Sequence, residues 1–167
     1  VNTFAAPWGR ALRLTSLAAI AICAGLPLLF ALVPEGPASP VFDALALLLP
    51  LGLLAGCGLF TVRAYRLSNG TLEIRRLLWW TRLPLAGLRS VEVRPDALTG
   101  AIRTCGNGGF FSFTGWYWSK SLGPFRAYVT DLRNTVVLRF ERRTLLLSPA
   151  DPEAFARALR AAADLGD

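Results

Sequence analysis

Two uncharged runs near the start of this chain constrain its fold more than any other feature. No charged residue lies between Arg13 and Glu35, and none between Asp43 and Arg63. Within those limits, residues 14–33 and 44–62 each match the ~20 residues that a helix needs to cross the hydrocarbon layer. Each run holds ten residues of Leu, Ile, Val or Phe. At about −0.3 to −0.6 kcal/mol apiece in mid-membrane, these outweigh one proline and a few small residues. A globule of 167 residues has no interior able to cover two such helices on every side. Two transmembrane helices are therefore expected, over 14–33 and 44–62. The length of the first run, and the lack of an A-x-A-like site before the next loop, argue against a cleaved signal peptide.

Charge orients the pair. Arg10 and Arg13 precede the first run, and Arg63, Arg66, Arg75 and Arg76 follow the second. The connector 34–43 carries Glu35, Asp43 and three prolines but no basic residue. The positive-inside rule then makes 1–13 a cytoplasmic N-terminal arm and 34–43 a short extracytoplasmic loop, with both termini in the cytoplasm. Pro27 and Pro50 are tolerable inside such helices. Ala21 with Gly25, and Gly52 with Gly56, form small-residue faces expected to pack the two helices together. Trp8 and Tyr65 stand where interfacial aromatics would anchor the pair.

Composition excludes several chemistries. There is no histidine, which removes Ser-His-Asp and Cys-His schemes and histidine metal sites. The cysteines at 23, 57 and 105 have no metal-ligand or redox spacing, and their odd number argues against a disulfide scaffold. No paired carboxylates stand ready for acid–base work: Glu73 and Glu92 lie in strands among arginines, and Asp131 reads as a turn residue. No enzyme, cofactor or metal is expected. Basic residues are arginines except for Lys120, and because Arg10 and Arg13 offset Glu35 and Asp43, the net +7 sits on residues 63–167.

That segment is domain-sized and reads as short strands closed by one helix. Residues 63–68 and 71–77 flank Asn69-Gly70, the pair that supplies both positive φ angles of a type I′ turn. Two short strands around Pro84 and Gly87 follow, then three more in 125–131, 135–140 and 143–148. Asp151 is placed as an N-cap, Pro152 as the first helical residue and Glu153 at the positive end of the dipole. The expected fold is a small bent sheet or barrel of about seven antiparallel strands with a C-terminal helix.

Three blocks carry a resemblance. Arg103-Thr104-Cys105-Gly106-Asn107-Gly108-Gly109 is similar to an R-x-x-G-x-G-G segment of the bacterial pleckstrin-homology-like (PH-like) domain. Residues 122–131, with Gly123, Tyr128, Thr130 and Asp131, resemble that family's LG-x-(Y/F)-x-A-Y-x-T-D segment, although Pro124 stands where family members often have a basic residue. Residues 148–155, with Asp151 and Pro152, resemble its closing S-P-x-D-P-E-x-F. The resemblance implies an α+β, mainly β PH-like domain over 63–167 behind a helical hairpin, and no catalytic residues.

Contact residues are sought among aromatics and arginines. Phe110, Phe111, Phe113, Trp116, Tyr117 and Trp118 crowd one stretch beside Lys120, read as an aromatic loop that either dips into the interface or packs on barrel and helices. Trp79 and Trp80, beside Arg75 and Arg76, read as an exposed tip between strands. Cys105 reads as a packing residue, and Gly106 to Gly109 as a permissive excursion rather than a phosphate loop. Arginines next to a bilayer attract anionic headgroups by about 1 kcal/mol each. Nucleic-acid binding lacks any signature here. The sequence thus points to a bacterial cytoplasmic-membrane protein with two spans, a non-catalytic binding or scaffolding module at the inner leaflet. Its expected partners are a protein segment or anionic headgroups. The alternative is an accessory subunit of a transport or envelope complex, contacting partners through the transmembrane hairpin.

Overall fold

The computed structural model describes residues 2–32 and 40–163. Residues 33–39, most of the expected extracytoplasmic loop, lie outside the described residues. The chain runs β1 (Asn2–Ala5), α1 (Arg10–Leu32), α2 (Pro40–Leu59), then β2 (Ala64–Ser68), β3 (Thr71–Arg75), β4 (Trp80–Pro84) and β5 (Leu88–Val93). It continues with β6 (Ile102–Gly108), β7 (Phe113–Ser119), β8 (Gly123–Val129), β9 (Val136–Phe140), β10 (Thr144–Leu147) and α3 (Pro152–Ala162). Two long apolar helices thus precede a β-rich domain with a closing helix, as the sequence leads one to expect.

Both long helices are apolar and long enough to cross a membrane. Their bounds are shifted from the uncharged runs. α1 already starts at Arg10, and α2 stops at Leu59. Val62, read as the end of the second run, is fully buried in the domain core. Gly25, Gly52 and Gly56 correct the small-face reading: a Cβ on any of them meets no atom within 4 Å, so they do not mediate close helix approach.

The strands form two sheets, one ordered β1-β2-β3-β4 and the other β5-β9-β10-β8-β7-β6. Among the described residues, nine strands follow the helices where about seven were expected, because β6 and β7 fall in the stretch read as loops. One pairing is parallel, β10 with β8. The Asn69-Gly70 turn joins β2 and β3 with φ of 46° and 67°, the two positive angles that a type I′ turn requires. Asp151 caps α3, its Oδ1 accepting from the Ala154 amide at 2.9 Å, with Pro152 in the first turn.

β1 pairs antiparallel with β2, Ala5 opposite Ala64, and the Ala6 amide donates to the Arg63 carbonyl at 3.1 Å. The expected N-terminal arm therefore contributes an edge strand, and α1 and α2 form a long insert within one β-hairpin. The main core lies between the sheets and α3, where Phe155 and Leu159 meet Tyr65, Leu72, Ile74, Leu138, Leu145 and Leu147. Burying each large side chain contributes roughly 1.5–3 kcal/mol. Ala6 and Phe4 join this core from the N-terminal segment, Phe4 edge-on to Phe155 with ring centroids 5.0 Å apart. A second core on the other face of the larger sheet gathers Tyr117, Phe125, Ala127, Val129 and Leu146 under Ala97 and Leu98.

Candidate functional site

Alternation along β8 decides what the larger sheet shows to α2. Phe125, Ala127 and Val129 enter the second core, so Arg126 and Tyr128 point to the opposite face. Register pairs Trp116 with Arg126 and Thr114 with Tyr128, which puts those β7 residues on that face too. β6 and β7 meet there through Gly106 opposite Gly115. Only glycine fits, because a Cβ on Gly106 would strike the Thr114 carbonyl oxygen and one on Gly115 that of Cys105. The backbone is thus open to a cleft.

The cleft, about 420 Å³, lies between this sheet face and the end of α2. Gly52, Leu53, Gly56, Cys57 and Phe60 line it from the helix. Arg76, Asn107, Thr114, Arg126 and Tyr128 line it from the domain, and no carboxylate does so among the described residues. Arg76 is almost fully buried: Nη1 donates to the Phe60 carbonyl at 2.6 Å and Nε to Thr81 Oγ1 at 3.1 Å. It thereby satisfies a carbonyl just past the end of α2. Burial holds its pKa below the usual guanidinium value, and repulsion from Arg126 adds to this. Arg126 lies 5.6 Å from the Trp116 ring centroid and 5.2 Å from that of Tyr128. The Tyr128 hydroxyl is buried with no hydrogen-bond partner among the described residues. Burial pushes its phenol pKa up, opposed by Arg126 and Arg76.

The aromatic stretch is mostly strand, not loop. Only a tight tip precedes β7, and it packs on the helices: Thr15 Oγ1 donates to the Gly109 carbonyl at 2.7 Å, and the Phe111 amide to Ser16 Oγ at 3.0 Å. Phe111 tilts against Trp8 at 5.9 Å, and Phe110 faces Ala19, Cys23, Leu54 and Cys57. Phe113 is half-buried against the second core. Tyr117 stacks on Phe125 at 5.9 Å, while Trp116 and Trp118 remain 49% and 41% exposed on the cleft side. Lys120 is exposed in the following turn.

At the β3–β4 tip, Trp79 sits edge-on to Phe60 at 5.2 Å. Trp80 lies under the guanidinium of Arg66 at 4.3 Å, with Arg75 at 5.8 Å. Tyr65, expected at the interface, is instead fully buried, because the period of β2 turns Tyr65 and Leu67 inward. Its hydroxyl donates to the Tyr128 carbonyl at 2.5 Å and accepts from the Ser148 amide at 3.1 Å. Thr130 and Asp131 both donate backbone N–H groups to Ser148 Oγ, at 2.7 and 3.1 Å. Arg103 lies over Gly108, and Gly123 opens β8. Sequence reasoning placed Tyr128 only within a resembling motif, and Arg126 within it and among the arginines read as attracting headgroups. Their joint approach to Gly52 and Gly56 needed the folded position of α2.

A family model of the bacterial PH domain matches residues 63–163, well over half of the chain. The chain belongs to the bacterial PH domain family. No curated protein and no solved structure matches it. PH domains are generally non-catalytic binding modules. In this one the matched residues supply the cleft's charged wall, and α2, outside the match, supplies its apolar wall.

Proposed function

We propose that this bacterial PH domain is a non-catalytic, membrane-anchored binding module, held at the inner leaflet of a bacterial cytoplasmic membrane by α1 and α2. The observation that carries this reading is the insertion of both helices between β1 and β2. Paired strands keep the outer ends of the two helices on one side, beside the domain. Arg10, Arg13, Arg63, Arg66, Arg75 and Arg76 cluster at those ends, which supports a cytoplasmic placement. The exposed Trp116 and Trp118, on the side of the sheet that faces α2, suit contact with the bilayer interface. Ligands fitting this placement are anionic headgroups or a protein segment. A second reading, an accessory subunit whose helices make the contact, draws on the open small residues Gly25, Gly52 and Gly56.

Thiol labelling tests the placement. In a background with Cys23→Ala, Cys57→Ala and Cys105→Ser, Ser39→Cys is expected to react with a membrane-impermeant reagent in intact cells. Ala150→Cys, exposed in the domain, is expected to react only after lysis. The reverse pattern overturns the orientation, and equal reaction at both positions overturns the span.

A further inference from the structure

The cleft between α2 and the β6–β8 face has the chemistry of an amphiphile site. Among the described residues, its domain wall holds two guanidiniums and no carboxylate. Arg76 is already engaged by the Phe60 carbonyl and Thr81, but Arg126 has neither an ion pair nor a hydrogen bond among the described residues. The buried Tyr128 hydroxyl is likewise unpartnered, and leaving such a group unsatisfied costs about 1–3 kcal/mol. The opposite wall is apolar and open: Gly52 and Gly56 leave a channel along α2. Gly52 lies about 10 Å along the axis from the helix end at Leu59. The volume suits a headgroup with the first part of a chain.

We infer that this cleft binds one phosphate-bearing membrane lipid of net negative charge, its phosphate held by Arg126 and the Tyr128 hydroxyl and an acyl chain running past Gly56 and Gly52. The net charge is negative because no carboxylate among the described residues lines the wall to pair a headgroup cation. Guanidinium and phenol are both donors, so an anion with several acceptor oxygens satisfies both at once. An uncharged amphiphile would leave Arg126 uncompensated, and a free phosphate would leave the apolar channel unused. The inference rests on the membrane-anchored reading and names the ligand of that module.

The test uses the full chain purified in detergent and titrated by native mass spectrometry with dioctanoyl phosphatidic acid, dioctanoyl phosphatidylcholine or inorganic phosphate. Phosphatidic acid is expected to bind at least about tenfold more tightly than either of the others. Arg126→Gln is expected to weaken it about tenfold, and Tyr128→Phe roughly threefold, with the Phe variant at least as resistant to thermal unfolding because it removes a buried hydroxyl that no described residue satisfies. Gly56→Leu, whose side chain enters the open channel, is expected to abolish binding. Equal binding of phosphatidylcholine, or full binding by both the Gln and Phe variants, overturns the site. Tight binding of inorganic phosphate alone makes it a site for a soluble anion and overturns the lipid. Should labelling at Ser39 and Ala150 fail, the anchored reading falls. Loss of selectivity with that labelling intact overturns only this site.

Discussion

Thr15 Oγ1 and the Gly109 carbonyl oxygen are 2.7 Å apart although 94 positions separate the two residues. With the Ser16–Phe111 bond beside it, this contact fastens the β6–β7 tip to the first turns of α1. Replacing both hydroxyls, as Thr15→Val with Ser16→Ala, leaves two tip groups unpaired at about 1–2 kcal/mol in total. Amide hydrogen exchange at 109–112 is then expected to speed up by about tenfold or more, with the far-ultraviolet spectrum unchanged. Unaltered exchange would show that the Asn107 bonds to Phe110 hold the tip without the helix.

Alkaline pH probes the buried link between the sheets. Burial pushes the Tyr65 phenol up to about 12. A folded-state pKa above the ordinary 10 favours the neutral phenol in the native state, so this contribution is complete below pH 10. It is lost as pH rises from 10 through 12, by roughly 2–3 kcal/mol. Tyr65→Phe is expected to start less stable, having lost its bonds to Tyr128 and Ser148, and to fall less steeply over that interval. Parallel falls in unfolding free energy for both proteins would contradict the assignment.

The helical insert can be excised. Replacing residues 7–61 with Asn-Gly would join β1 to β2 through a three-residue loop of Asn, Gly and Val62, since Ala6 already bonds Arg63. The product is expected to be soluble and to unfold cooperatively. It should be more stable, by about 1–3 kcal/mol, than a fragment starting at residue 63, which lacks Phe4 against Phe155. Equal midpoints in urea would mean that β1 adds nothing to the sheet.

That excised domain also separates insertion from attraction at the exposed face. Trp116 and Trp118 are expected to hold it on vesicles of anionic lipid even in high salt, where screening has weakened the arginines. Trp116→Ser with Trp118→Ser should leave binding that salt abolishes. Tyr117 is kept because it stacks on Phe125. Salt-sensitive binding by the unsubstituted domain would rule out insertion.

Local rules made part of this fold legible. Asn69-Gly70 and Asp151-Pro152 act through their own backbone, so their roles could be read without knowing any neighbour. β7 could not, because Trp116 and Trp118 lie outside and Tyr117 inside, which erases any apolar–polar alternation. β6 is poor in strand-forming residues and depends on its pairing with β7. β1 was hidden because its partner lies beyond both helices. Tyr65 was readable: the alternation of Tyr65, Arg66 and Leu67 already turned the ring inward. The cleft escaped the sequence because it joins Gly56, Arg76 and Arg126, three residues distant in the chain and on different elements.

The insert between β1 and β2 also sets an order of events during synthesis. β1 leaves the ribosome before either helix, and β2 only after both. The first strand must therefore wait unpaired until the whole hairpin has been delivered. A chain whose helices were threaded with their outer ends on opposite faces of a bilayer would leave Ala5 and Ala64 on different sides, unable to pair. Its Phe155 would lack Phe4, and the edge of β2 would lie open to proteases. Sheet closure would then proofread helix insertion, exposing misthreaded chains to degradation.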